Sequence, residues 1–278
     1  MDVVDFDEIG YWSEVKLDII RDYAKAYSKI LTTQKRPQLH HVYIDGFAGC
    51  GHHRSKTTGQ VVPGSPLNAL EIEPQFKEYY LVDLNRSRAQ RLEEIARNQN
   101  NVHVFNGDCN EVLLEQVFPK VRYEDYKRGL CLLDPYGLHL NWLVIKRAGE
   151  MKSIEIFLNF PVMDINMNVL WHNPSAVNPR QAERMDAFWG DQTWRDAAYT
   201  SEQDLFGEVE RKKDIKVVAA AFRKRLLTVA GFKHVPEPVP MRNSKGAIVY
   251  YLYFASHKPV AADIVADIFR KYRNHGVT

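Results

Sequence analysis

Five short apolar runs constrain this chain more than any other feature. They are HHVYIDGF (40–47), EYYLVDLN (78–85), VHVFNGD (102–108), RGLCLLDPYG (128–137) and IEIFLNFP (154–161), and each has an acid, a glycine or a proline among its last three residues. Their length and their content of β-branched and aromatic residues read as strands. Between them lie stretches of helical spacing: RSRAQRLEEIARN (86–98), CNEVLLEQVF (109–118) and NWLVIKRAGEM (141–151). GSPLNALEI (64–72) adds a short helix, with Ser65 as its N-cap and Pro66 in its first turn. Strands that are apolar on both faces and alternate with helices build a parallel sheet covered on both sides. The expected class is therefore α/β, with a Rossmann-like layout.

The flanks extend the pattern. WSEVKLDIIRDYAKAYSKIL (12–31) has the apolar spacing of an amphipathic helix, with Ser13 as a plausible N-cap. After Pro161 the rhythm breaks. Residues 162–212 hold Asn, Asp, Pro and the aromatics Trp171, Phe188, Trp189 and Trp194, a composition expected for an insertion or cap with short helices. Alternation resumes with the helix DIKVVAAAFRKRLLTVAG (214–231). FKHVPEPVPM, the turn RNSKG and AIVYYLYFASH then predict an antiparallel hairpin, and VAADIVADIFRKYR a closing helix. One domain spanning 1–278, with 162–212 inserted in it, accounts for all of this.

Composition sets the remaining bounds. With 278 residues and 45% hydrophobic content the chain can bury a full core. A net charge of +2 means that any attraction for phosphate comes from local patches. The three cysteines, Cys50, Cys109 and Cys131, show no zinc-type spacing, so a reducing cytoplasm and no metal site are expected. The first ten residues are acidic where a signal peptide is basic, and no apolar run reaches the roughly 20 residues of a membrane helix.

In open α/β sheets ligands sit beyond the carboxyl ends of the strands. Those ends carry Asp45 with Gly46, Gly49 and Gly51; Asp83; Asp108 with Cys109; and Asp134-Pro135-Tyr136-Gly137. Five parallel strands, an antiparallel hairpin and this succession of acids resemble class I S-adenosylmethionine-dependent methyltransferases. The resemblance implies that the glycine turn admits the methionine part of the cofactor, with Asp45 receiving its ammonium group. Asp83 would accept from the ribose hydroxyls and Asp108 from the adenine amine, beside the Cys109 backbone. Each acid read singly is also compatible with a solvated strand end or a helix cap.

A closer resemblance covers nearly the whole chain. WSEVKLDII, YIDGFAGCG, GSPLNALE, GDCNEVL, LLDPYGL, NFPVMDINMN and RNSKGAIVYYLYFAS are together similar to the bacterial and phage family of three-Cys-motif partner proteins (TcmP). This implies a partner, a radical-SAM-like protein with a three-cysteine motif. The DPYG form is also similar to the motif of tRNA guanine-N2 dimethyltransferases, in which an acid holds an exocyclic amine and an aromatic stacks the base. Asp134, Pro135 and Tyr136 are then the candidate catalytic residues, and a base amine, in RNA or DNA, the candidate acceptor. Compared with the usual acid-Pro-Pro-aromatic form one proline is absent, which brings Tyr136 one position early. Arg54 in the basic stretch 52–56 is a candidate phosphate contact, and Asn159 and Phe160 after the fifth strand candidate base contacts. The alternative is a methyltransferase-like subunit without catalysis that serves the three-cysteine protein as a binding partner.

Overall fold

The computed structural model describes residues 6–204 and 207–273. The strands, in chain order, are β1 (Glu8–Ile9), β2 (His40–Asp45), β3 (His52–Ser55), β4 (Val61–Pro63), β5 (Glu78–Asp83), β6 (Val102–Asn106), β7 (Lys127–Leu133), β8 (Ile154–Phe160), β9 (Tyr199–Asp204), β10 (Gly207–Lys212), β11 (Val239–Arg242) and β12 (Ile248–Ala255). The α-helices are α1 (Tyr11–Thr33), α2 (Ser65–Leu70), α3 (Arg86–Ala96), α4 (Cys109–Val112), α5 (Trp142–Met151), α6 (Val162–Asn168), α7 (Pro179–Trp189), α8 (Trp194–Ala198), α9 (Ile215–Thr228) and α10 (Pro259–Arg273).

Seven strands form the main sheet in the order β6-β5-β2-β7-β8-β12-β11. Neighbours from β6 to β8 are parallel, with Ile44 opposite both Tyr80 and Cys131. β12 runs antiparallel between β8 and β11. The chain thus moves outward from β2 to β6, returns through β7 and β8, and ends on a reversed strand slipped in before the edge. This is the class I methyltransferase sheet expected from the sequence.

Because strand side chains alternate between faces, Val42, Ile44, Cys131 and Leu133 enter one core while Tyr43, Leu130 and Leu132 enter the other. α1 and α10 cover the second face with stripes such as Ile19, Ile20 and Tyr23 from α1 and Val265 and Phe269 from α10. Each such side chain, fully buried, contributes roughly 1.5–3 kcal/mol. α5 and α9 cover the first face. They are joined there by Phe188, Trp189 and Trp194, so segment 162–212 belongs to the main core; among the described residues of the segment, Trp171 is the one exposed large aromatic.

Local structure departs from expectation in four places. α1 begins at Tyr11 with Gly10 as its N-cap, because the Gly10 carbonyl takes the Ser13 and Glu14 amides. Ser65 lies inside α2, whose N-cap is Gly64, and its hydroxyl is engaged with Asp45. The basic stretch at 52–56 is largely strand β3, paired with β1 and β4 in a small second sheet. Segment 162–212 ends in the β9–β10 hairpin, whose strands TSEQD and EVERK carry too little apolar alternation to announce themselves. Among the described residues no helix is long and apolar enough to cross a membrane.

Candidate active site

A cleft of about 960 Å³ opens at the carboxyl ends of β2, β5 and β7, a size in the range of small-molecule sites. Gly46 and Gly49 form its glycine wall. Gly49 has φ +67°, where a Cβ is strained, and a Cβ there would meet nothing within 4 Å: the space beside it is the cleft. Gly46 serves packing, since a Cβ would come 2.8 Å from the Cys109 sulfur. Gly51 does not line the cleft; it sits over Ile95 and Leu67, where α2 and α3 approach the loop.

Asp83 ends β5 on the cleft. Its Oδ2 accepts the Gly49 amide at 2.8 Å and its Oδ1 the Asn85 amide at 2.8 Å, so the carboxylate fixes the glycine loop and each oxygen keeps further acceptor capacity. Asp108 is exposed on the same cleft and caps α4 through the Asn110 amide at 2.7 Å. Cys109 also lines it, but burial pushes its thiol up, so the thiol stays protonated. Asp45 lies elsewhere. It is 0% exposed beneath its own loop, where its Oδ1 accepts the Phe47 amide at 3.1 Å. Burial pushes its carboxyl up to about 6; hydrogen bonds from Ser65 and Phe47 oppose the rise and the charge of Asp134 adds to it.

Asp134 reaches the cleft from the end of β7, and its Oδ2 is paired with the ammonium of Lys16 from α1. The lysine side chain is 10% exposed and the aspartate 27%. Burial by itself lowers the lysine's proton affinity, but attraction to Asp134 and Tyr250 reverses this and leaves the ammonium held above its ordinary value. Pro135 is buried, while Tyr136 is 87% exposed on the cleft rim. The following residues are tied to α4: Asn110 donates to the His139 carbonyl at 3.2 Å and accepts the Asn141 amide at 2.7 Å.

Charges around the cleft are largely matched. Asp7 pairs with Arg88 at 2.7 Å and Glu8 with Lys56 at 4.0 Å, closing one side with the strand β1. Burial, followed by the charge of Lys16, lowers the His53 pKa, so this imidazole is neutral at pH 7. Among the described residues Asp83 and Asp108 form no ion pair. They remain as uncompensated acceptors for a cationic or hydroxyl-bearing ligand.

The expected substrate contacts lie elsewhere. Arg54 points away from the cleft and donates to the Gly59 carbonyl at 3.1 Å. Phe160 is 0% exposed and packs 4.8 Å from the ring of Phe222. Asn159 is buried, with an Oδ1 that has no partner, and it does not line the cleft. The cause is the antiparallel β12, which pairs Tyr251 with Phe160 and Leu252 with Asn159 and so keeps both residues inside the sheet. Lys16, Asn110 and the Asp7–Arg88 pair had not been anticipated. Lys16 carried a legible signal: a cation one turn before Ile19 and Ile20 on the buried stripe of α1.

No protein-family model matches the chain, and no curated protein matches it. Solved structures do. A protein of Legionella pneumophila is 13% identical over 94% of this chain and 93% of its own, with a TM-score of 0.46. The methyltransferase domain of a bacterial Hen1 is 9% identical over 86% of this chain and 99% of that domain, at 0.41. M. jannaschii TYW2, solved with AdoMet, is 10% identical over 88% of this chain and 75% of that one, at 0.35. The fold class itself rests on the strand order and register described above.

Proposed function

We propose that this chain is an S-adenosylmethionine-dependent methyltransferase of the three-Cys-motif partner family, acting on an exocyclic amine of a nucleobase in RNA. One observation carries the reading: the glycine loop, Asp83, Asp108 and the Asp134–Tyr136 pair all open on a single cleft. The cleft fits the cofactor by its volume, by the open space beside Gly49 and by the uncompensated acids. S-adenosylmethionine, when bound, supplies an electrophilic methyl group.

Asp83 would hold the ribose with the acceptor capacity its amide contacts leave free, and Asp108 the adenine amine. Asp134 pairs with Lys16 through Oδ2, which leaves its second oxygen as an acceptor for an N–H of the substrate. An exocyclic amine is a poor nucleophile because its lone pair is delocalised into the ring. An acceptor that draws the nitrogen towards tetrahedral geometry acts most strongly in the transition state, which is where it lowers the barrier. Tyr136 offers an exposed face on which the base stacks.

Calorimetric titration with S-adenosylhomocysteine is the first test, followed by tritiated-methyl transfer to RNA and DNA with and without the three-cysteine radical-SAM-like partner. Absence of S-adenosylhomocysteine binding removes the reading. The second reading, a non-catalytic subunit of that partner, draws support from Lys16, which already occupies one oxygen of Asp134. Cofactor binding without transfer under any of these conditions decides in its favour.

A further inference from the structure

We infer that Asp164 and Arg184, both in segment 162–212, are positioning residues that fix the DPYG turn beneath the substrate; this rests on the methyltransferase reading. The turn needs external support. Gly137 has φ +62°, and the strand ends at Leu133, so nothing in the β7 ladder holds residues 134–138. Asp164, in α6, supplies that support. Its Oδ2 accepts the Leu138 amide at 2.9 Å and Nη2 of Arg184, from α7, also at 2.9 Å. Its Oδ1 accepts from Asn168. The carboxylate also explains the glycine: a Cβ on Gly137 would lie 2.4 Å from Asp164 Oδ2.

The pair is more than a surface ion pair. The two side chains are 18% and 28% exposed, and the guanidinium is oriented by a second bond to Gln181. A charge-assisted, partly buried contact of this kind holds geometry well. Asp164 and Arg184 line no part of the cleft, so neither is placed to touch cofactor or base. They act through Tyr136 and Asp134 by holding Leu138, while Asn110 secures His139 and Asn141 just after it. On this account segment 162–212 sets the position of the candidate catalytic motif.

The test uses the full chain with Asp164→Ala, Asp164→Asn, Arg184→Met and Arg184→Lys, each checked for cooperative unfolding. Amide hydrogen exchange reads the brace directly: Leu138 should lose protection in Asp164→Ala and Arg184→Met, while Leu132 and Leu133 in β7 keep theirs. Arg184→Lys, which retains the charge, should recover much of the protection. In methyl transfer kcat should fall by about 10²-fold, the scale for misplacing a reacting group by about 1 Å, with S-adenosylhomocysteine affinity changed by no more than about twofold. Unchanged exchange at Leu138 in Asp164→Ala overturns the brace. A loss of transfer matched by loss of cofactor affinity, or a lysine variant no better than methionine, overturns the positioning role. A wild-type chain that transfers no methyl group while Leu138 responds as expected overturns the methyltransferase reading, and the catalytic consequence with it, but not the brace.

Discussion

Replacing Lys16 by Met tests the electrostatics beneath the cleft. The substitution keeps the apolar stem that packs on the sheet and removes the ammonium that pairs with Asp134. Breaking a buried pair by deleting one partner costs about 3–5 kcal/mol, because the other charge is left without compensation. The two deletions are not equivalent here. Lys16 is 10% exposed and Asp134 27% on the cleft wall, so the abandoned carboxylate regains some water while the abandoned ammonium does not. Asp134→Ala should therefore cost about 3–5 kcal/mol, the full range, and Lys16→Met less, about 2–3 kcal/mol. Urea unfolding at pH 7 measures both, and Lys16→Met combined with Asp134→Ala should cost clearly less than the sum of the singles. The sign with pH is fixed. The lysine pKa is raised in the folded state, so its contribution is complete below the ordinary 10.5 and is lost only as pH rises through the folded value. The difference between wild type and Lys16→Met should thus stay constant from neutral to mildly alkaline pH. Strict additivity in the cycle, or a single-site cost under about 0.5 kcal/mol, would refute this account. The same arithmetic means that a loss of methyl transfer in Asp134→Ala counts as catalytic only if the variant is shown to be folded.

Asp45 gives the same sign in a lower pH window: its folded pKa of about 6 exceeds the ordinary 3.8, so its contribution is complete below 3.8 and fades as pH rises through about 6. The span corresponds to about 3 kcal/mol, and Asp45→Asn should flatten the unfolding free energy between pH 4 and 7; parallel curves for the two proteins would dismiss the buried acid as the cause. Asp83→Ala removes the anchor of Gly49 along with the ribose acceptor, and S-adenosylhomocysteine affinity should fall by about 1.5–3 kcal/mol by calorimetry; an unaltered isotherm rejects the cofactor assignment. Tyr136→Ala should weaken base binding by about 1–3 kcal/mol and leave cofactor affinity intact, as titrations with oligonucleotide and with S-adenosylhomocysteine separately report. Deleting 162–212 uncovers Phe160, Phe222 and Leu158, which pack in one cluster with Phe188, Trp189 and Trp194, so the product should show no cooperative thermal transition; a well-folded deletion variant would contradict the shared core.

The sheet was legible because its information is local. Each apolar run ends at a residue that cannot continue a buried strand, and the helices between them carry their period openly. The small β1–β3–β4 sheet was not legible, because it depends on a parallel pairing between Glu8–Ile9 and Arg54–Ser55 across more than forty residues and involves few apolar side chains. At the site, the acids at strand ends and the exposed Tyr136 could be read from position alone. Lys16 could be read only as an anomaly, a charge on a buried stripe. Asp164 and Arg184 left no such mark, since an Asp in the first turn of a helix and an Arg in an insertion are each unexceptional until the Gly137 backbone is known.

Three strand-end acids with similar sequence settings have different fates, and topology decides which. Asp45, Asp83 and Asp134 all follow residues of the second core, Tyr43, Leu81 and Leu132, and by the two-residue period they point to the α1 side of the sheet. β2 is the central one of the five parallel strands, and its chain does not leave the sheet at Asp45. The Gly46 amide still donates to Leu132 and the Ala48 amide to Val82, so the loop crosses the top of the strand and covers the acid that begins it. β5 carries no such crossing: its chain turns into α3 through Asn85, and Asp83 stays on the cleft while gripping the loop from the side. β7 lies on the other flank of β2, where Lys16 reaches across from α1 to Asp134. The acid of the central strand therefore works through the loop it supports, and the ligand-facing roles pass to the carboxylates on its two neighbours.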